Sequence, residues 1–292
     1  MIKSLIISNE LLSNHCSYKT GGPAKFYSAP SNEEELCELL RWAVKDKIDF
    51  FILAKGNNIL FSDLGFNGLI ISLCKFNRWL VRGHDDIIAG AGILLKELID
   101  FISCYRHSYI EYLSGIPGTV GGAIYMNAGA YGKEIKDFLK IAKVLDYEGN
   151  IEYVDNEHIG FAYRKAEYLE NKIILSAVFD VSLDDKKSLD KDMRNDTIMK
   201  RTLNQPLQYL SCGSVFKRTD GFYPGELIEK CGLKGYTLGG CMVSEKHANF
   251  IVSMGDATSA DIYSLINFIK REVYSRFGVM LEEEVKLVGF AK

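Results

Sequence analysis

Residues 115 to 123 read G-I-P-G-T-V-G-G-A, with Gly115, Gly118, Gly121 and Gly122 gathered around Pro117. Glycine has no Cβ, so the backbone can lie close to a ligand and adopt positive φ there. Consecutive N–H groups can then converge on a phosphate without side chains intervening. The spacing is neither G-x-G-x-x-G after a strand nor G-x-x-x-x-G-K-[ST], which excludes a Rossmann or P-loop reading. On spacing alone a purely structural glycine loop remains open. A second polar turn, Gly56-Asn57-Asn58-Ile59, follows the apolar run F-F-I-L-A at 50–54 and offers backbone amides to the other end of a pyrophosphate.

Around these turns the pattern is mixed α and β. Apolar residues recur at helical spacing over 33–46 after the start signal Ser31-Asn32, and the run at 50–54 predicts a buried strand. L-I-I-S-L after Asn67-Gly68 and I-I-A-G-A-G predict strands, and L-L-K-E-L-I-D-F-I predicts a helix. Residues 141–154 predict a hairpin turning at Glu148-Gly149-Asn150, and 172–181 a further strand. From Leu183 to Arg201 the charged composition suits a solvated connecting helix, and a domain boundary is expected there. Beyond it come a short helix ended by Gly232, a strand N-F-I-V-S and a longer helix ended by Gly278. The run V-M-L-E-E-E-V-K-L-V predicts a final strand.

The chain has 292 residues and a formal net charge of −3, which gives no broad footprint for nucleic acid, so an anionic ligand must be held locally. The N-terminal apolar stretch is broken by Ser8, Asn9 and Glu10, and no run reaches membrane-spanning length; a cytoplasmic protein is expected. The 7 cysteines are scattered without a C-x-x-C pair, which suits reduced thiols in the core. Cys212, Cys231, Cys241 and His247 match no closed zinc spacing, and no metal is expected.

Residues 115–132, G-I-P-G-T-V-G-G-A-I-Y-M-N-A-G-A-Y-G, resemble the flavin-binding signature of the UDP-N-acetylenolpyruvoylglucosamine reductases, the MurB family. The resemblance continues through T-G-G-P-A near residue 20, Tyr163-Arg164, C-G-S-V-F-K-R at 212–218, G-E-L-I-E-K-C-G-L-K-G at 225–235, S-E-K-H-A-N-F-I-V at 244–252 and L-E-E-E-V at 281–285. It implies an α+β chain: a two-subdomain FAD-binding fold of the vanillyl-alcohol-oxidase (PCMH) type plus a C-terminal α/β substrate-binding domain. The domains implied are 1–185, split near 76, for FAD; 200–280 for substrate; and 281–292 as a strand returning to the active site. FAD would be held by Gly56, Asn57, Asn58, Ile59, Gly115, Ile116, Pro117, Gly118, Thr119, Gly121, Gly122 and Ala123.

The activity implied is NADPH-dependent reduction of UDP-N-acetylglucosamine enolpyruvate to UDP-N-acetylmuramate for peptidoglycan, by a monomer or weak oligomer. Hydride addition to the vinyl carbon builds negative charge on the carboxylate-bearing carbon, which must be stabilised and then protonated. By resemblance Arg164 is the cation, Ser214 the proton donor and Glu284 the catalytic carboxylate. Tyr163, Lys217, Arg218, Lys234 and His247 fall in segments of the family's substrate side. As bare sequence features, Arg164 reads as a surface ion pair, Ser214 as a turn residue and Glu284 as part of a solvated edge.

Three departures from the family stand out. The turn after the first strand is A-K-G-N-N-I-L, with Lys55 and Asn57 where glycine and serine are usual, and Ala166 replaces a serine two residues after the arginine. The interval from Arg164 to Ser214 is short for a tyrosine-bearing substrate loop, which resembles the compact subgroup. Two other readings are an alcohol or sugar oxidase on the same flavin fold and a non-catalytic flavin-holding protein.

Overall fold

The computed structural model describes residues 4–105, 109–180, 193–218 and 221–290. Its residues cluster into two compact units, neither consecutive in sequence. One comprises residues 1–7, 27–55 and 69–201; the other comprises residues 8–26, 56–68 and 202–292.

The first unit is built on a five-stranded antiparallel sheet in the order 151–155, 139–146, 172–180, 86–90 and 80–82. Its central strand, Lys172–Asp180, is the expected one; the final residue of that expectation, 181, lies outside the described residues. Ile173, Leu175, Ala177 and Phe179 are buried along it, the period-2 signature of a strand with a core face, and the neighbouring Ile174 is covered as well. The hairpin Leu139–Asp146 to Ile151–Asp155 turns where Gly149 takes φ 98.

Helix α1 (Glu33–Lys45) starts where the sequence signals it: the Asn32 side chain accepts from the Glu35 N–H at 3.0 Å. Glu33, Glu34 and Glu35 meet the positive end of the helix dipole, and Leu36, Leu39, Leu40 and Ala43 form its buried stripe. Helix α2 (Leu95–Ser103) buries Leu95, Leu98, Ile99 and Ile102 in the same way. Strand Phe50–Leu53 lies parallel to Leu69–Ser72. Helix α3 (Val120–Tyr125) packs on the central strand, and α4 (Met193–Asn204) follows, its residues as far as Arg201 belonging to this unit. The connecting helix expected from 183 is thus seen from 193 and continues to 204; residues 183–192 lie outside the described residues.

The second unit holds a small antiparallel sheet, Thr237–Leu238, Cys241–Val243 and Ile251–Ser253, together with α5 (Pro224–Lys230) and α6 (Ser259–Phe277). A capping box between Thr258 and Asp261 opens α6, and Gly278 at φ 67 ends it. Ile262, Leu265, Ile266, Ile269 and Val273 form its buried stripe. The expected ten-residue final strand is a correction: only Lys286–Val288 is a strand, parallel to Ile59–Phe61. Upstream a single bridge, Phe216 to Glu283, joins it to a different segment, so the run changes partners midway and cannot remain one regular strand. Among the described residues no helix is long and apolar enough to cross a membrane.

Candidate active site

In the first unit the glycine segment is anchored at both ends. The Val120 N–H donates to Ile93 O at 2.8 Å and the Gly121 N–H to Ala91 O at 3.0 Å, while Gly118 O accepts from Leu95 N at 3.0 Å. Thr119, 1% exposed, caps α3 by accepting from Gly122 N at 3.2 Å. Gly115 (φ 80) and Gly118 (φ 132) occupy backbone conformations that side chains resist. Neither of their N–H groups donates to a described residue. Gly121 and Gly122 are glycine for another reason: a Cβ would lie 3.0 Å from Ala91 Cβ at the first and 3.1 Å from Ala54 Cβ at the second. Ile116 and Ala123 complete the segment, and Pro117 is exposed.

Tyr163 and Arg164 form the two-residue turn of a hairpin, Phe161–Ala162 against Lys165–Ala166. Arg164 sits at φ 54, a left-handed conformation that costs a non-glycine residue on the order of 1 kcal/mol and concentrates at functional sites. Its guanidinium lies 4.9 Å from the Tyr163 ring centre and donates long hydrogen bonds, each 3.4 Å, to the carbonyls of Asn127 and Gly129. The turn therefore holds a half-buried cation whose approach is fixed from two sides. Ala166, where the family has serine, is 4% exposed beside it.

In the second unit the polar turn and the backbone segments around Ser214 and Glu284 meet. Gly56, at φ 68, is obligatory, because a Cβ there would fall 2.1 Å from His15 O. Asn57 donates to Ser17 Oγ at 2.6 Å, yet its Oδ1 is buried without a hydrogen-bond partner. Asn58 donates to Glu284 O at 3.0 Å, and Ile59 begins the strand that pairs with Lys286–Val288. Glu284 N in turn donates to Val215 O at 2.7 Å, which places Glu284 beside the residue that follows Ser214. Ser214 is half-buried, and next to it Gly213 (φ 80) would carry a Cβ into open space. The Ser214 hydroxyl makes no hydrogen bond to a described residue.

Alternation along 282–284 is expressed through different partners. Glu282 pairs with Lys217, whereas Glu283 pairs with Lys270 at 2.7 Å. Arg218 lies over the Tyr223 ring at 5.0 Å, and Lys234 reaches Glu229 at 3.3 Å.

His247 Nδ1 accepts from Asn249 N at 3.2 Å, and its ring tilts on Phe250 at 4.8 Å. Burial lowers its pKa from 6.5, the nearby charge of Lys234 adding a little in the same direction. The folded protein therefore prefers the neutral ring. The stability this contributes is complete above pH 6.5 and is lost as pH falls from 6.5 through the lower folded value. Urea denaturation is expected to show stability falling with acidification below that point, by at most about 1.4 kcal/mol per pH unit from this residue. His247→Gln should flatten that slope; an unchanged slope would exclude the assignment.

Two further residues, unnoticed in the sequence, organise the site. Asn127 is 0% exposed with φ 41; its Nδ2 donates to Glu134 Oε2 at 2.9 Å and to Ala162 O at 3.0 Å, while its carbonyl receives Arg164. It ties the end of α3 to the arginine hairpin. Asn249 is 7% exposed and acts on the serine segment: Oδ1 accepts from Phe216 N at 3.0 Å, Nδ2 donates to Phe216 O at 2.9 Å, and its carbonyl accepts from Val215 N at 2.8 Å. Asparagine's tolerance of left-handed φ was the one signal at Asn127; nothing local marks Asn249. Asn249→Ala is expected to cost about 1–3 kcal/mol, since it strands buried backbone groups, with turnover falling alongside. Chemical denaturation with steady-state assays checks both, and wild-type stability would refute the pinning role.

The residues present fit a dinucleotide such as FAD. In the first unit, positive-φ glycines with uncommitted N–H groups and the buried, unpartnered hydroxyl of Ser114 supply donors suited to a phosphate.

Comparison with known proteins defines the class first: a family model described as FAD binding domain matches residues 24–155. A second, described as UDP-N-acetylenolpyruvoylglucosamine reductase, C-terminal domain, matches residues 205–288. Relatives bearing that reductase name, from Caldanaerobacter subterraneus and Clostridioides difficile, are each 42% identical, covering 96% of this chain and 93% and 92% of their own lengths. The crystal structure of UDP-N-acetylenolpyruvylglucosamine reductase from Thermus caldophilus superposes with a TM-score of 0.81 at 30% identity, covering 96% of this chain and 97% of its own. The chain belongs to the UDP-N-acetylenolpyruvoylglucosamine reductase family, which sets aside the oxidase and the non-catalytic alternatives.

Proposed function

We propose that this chain reduces the enolpyruvyl double bond of UDP-N-acetylglucosamine enolpyruvate to give UDP-N-acetylmuramate for peptidoglycan, using FAD, with NADPH as hydride donor. When bound, FAD would supply the hydride-transfer chemistry that links NADPH to the vinyl carbon. The Gly56–Ile59 turn and the 115–123 segment hold it.

The protein's own tasks are to stabilise charge and deliver a proton. Arg164, permanently cationic, faces the negative charge that grows on the carboxylate-bearing carbon. Ser214 donates the proton to that carbon, and Glu284, beside it, orients the substrate or assists the transfer. Tyr163, Lys217, Arg218, Lys234 and His247 serve the sugar nucleotide, whose diphosphate favours charge-assisted donors. The hydrogen bond from Glu284 N to Val215 O, next to Ser214, supports this reading, because it sets the backbone segments that carry the hydroxyl and the carboxylate side by side.

Residues 1–185 carry FAD, 200–280 carry substrate, and 281–292 complete the catalytic set. We place the protein in the cytoplasm, as a monomer or weak oligomer, acting on soluble nucleotides.

The test is direct. Purified protein should be yellow, bleach anaerobically with NADPH, and regain colour on addition of enolpyruvyl-UDP-N-acetylglucosamine. Colour regained only with oxygen would overturn the assignment.

A further inference from the structure

The guanidinium of Arg164 reaches the carbonyls of Asn127 and Gly129 at 3.4 Å each. Hydrogen bonds of that length are weak, so their aim depends on how firmly the two carbonyls are held. Both carbonyls lead to one side chain, that of Glu134.

Residues 129–134 form a short hairpin in which Gly129 pairs with Glu134 and Ala130 with Lys133. Tyr131 at φ 53 and Gly132 at φ 80 make its two-residue turn. Opposite Gly129, the stem of Glu134 lies against the glycine: a Cβ there would fall 2.7 Å from Glu134 Cγ and 2.7 Å from Lys133 O. Glycine is therefore required at 129, and the Glu134 stem takes the space a side chain would have filled. The carboxylate continues to Asn127, where Oε2 accepts from Nδ2 at 2.9 Å. The same Nδ2 donates to Ala162 O at 3.0 Å, in the strand that leads into Tyr163 and Arg164. One side chain thus packs on Gly129 and fixes Asn127.

Glu134 is itself held. Its N–H donates to Asp137 Oδ2 at 2.9 Å, the next amide, of Ile135, donates to Ala128 O at 2.8 Å, and Lys136 pairs with Oε2 at 2.9 Å. Asn127 is fully buried and the Glu134 side chain is only 25% exposed, so water competes poorly for the bond between them. In the sequence Glu134 is one more charge in the run K-E-I-K-D at 133–137. Its task becomes visible only with Asn127, Gly129 and Arg164 around it.

We propose that Glu134 is a positioning residue for Arg164, holding the Asn127 and Gly129 carbonyls where they aim the guanidinium at the carbon that becomes negative. This rests on the role given to Arg164 above. Because Glu134 acts through that arginine, its loss is felt in the step Arg164 serves, reoxidation of the flavin by the enolpyruvyl compound.

Anaerobic stopped flow on the holoenzyme, with bleaching by NADPH and reoxidation by enolpyruvyl-UDP-N-acetylglucosamine recorded separately, provides the test. Glu134→Ala should slow reoxidation by about 10- to 100-fold, the usual consequence of misplacing a reacting group, while bleaching and flavin content stay within about twofold of wild type. Glu134→Gln keeps an oxygen for Asn127 Nδ2 and should recover most of the loss. In an Arg164→Ala background, Glu134→Ala should cost less than about threefold more, since the group it places is gone.

Wild-type reoxidation in Glu134→Ala, equal slowing of both half-reactions, or a full second loss in the Arg164→Ala background overturns the assignment. Should Glu134→Ala not fold, Glu134→Asp decides the matter, because it keeps the charge but draws the carboxylate back from Asn127. Selective slowing of reoxidation there supports the role, and wild-type speed overturns it. Failure of the functional reading looks different: the wild-type protein itself is not reoxidised by the enolpyruvyl compound.

Discussion

Ser214→Ala is expected to yield a yellow protein that NADPH still bleaches at the wild-type rate, while recovery of colour with enolpyruvyl substrate slows by about 10²–10⁴-fold, the usual worth of a positioned acid. The physical basis is local. Ser214 is half-buried, flanked by the open space beside Gly213 and held by a segment whose next two residues are fixed by Asn249. Removing one oxygen leaves that backbone untouched, so flavin binding and its reduction should not change. A hydroxyl is a weak acid in water, and it can work here only if neighbouring charge stabilises the alkoxide as the proton leaves. Stopped-flow traces of the two half-reactions distinguish the possibilities. Equal slowing of both would show that Ser214 shapes the site without donating the proton.

The second large effect is expected at Gly118, where valine should abolish retention of FAD. At φ 132 the residue has a backbone that a β-branched side chain does not adopt without a penalty of about 1–3 kcal/mol. Relaxing that penalty moves Gly118 O off Leu95 N and withdraws the adjacent uncommitted N–H groups from the cofactor. Gly149→Val provides the control: φ is 98 there, with nothing within 4 Å of the added Cβ, in a hairpin turn outside the glycine segment. It should be strained in the same way and still bind flavin. Flavin-to-protein ratios after desalting decide the matter. Full occupancy in Gly118→Val would show that the segment is only a structural turn.

What could be read from the sequence follows the range of each signal. Helices α1 and α6 were legible because Asn32 at the start of the first and Gly278 at the end of the second lie within a few residues of the apolar stripe they bound. The glycine segment was legible as well, since unusual φ leaves its mark on residue type. The last strand was over-extended because its length depends on Ile59–Phe61, far away in sequence, and no local pattern records a change of partner. Asn127 and Asn249 escaped for the same reason. Each is an ordinary polar residue until the elements around it are in place.

The second unit draws on three stretches of chain, and its parallel pair joins Ile59–Phe61 to Lys286–Val288. During translation the earlier strand leaves the ribosome almost a whole protein length ahead of its mate, and closing so large a loop delays their pairing. Throughout synthesis, therefore, three fully apolar residues with open hydrogen-bonding edges await a partner. A gene fragment beginning at Thr202 would encode only one side of that pair, so it should form inclusion bodies unless residues 8–68 are co-expressed.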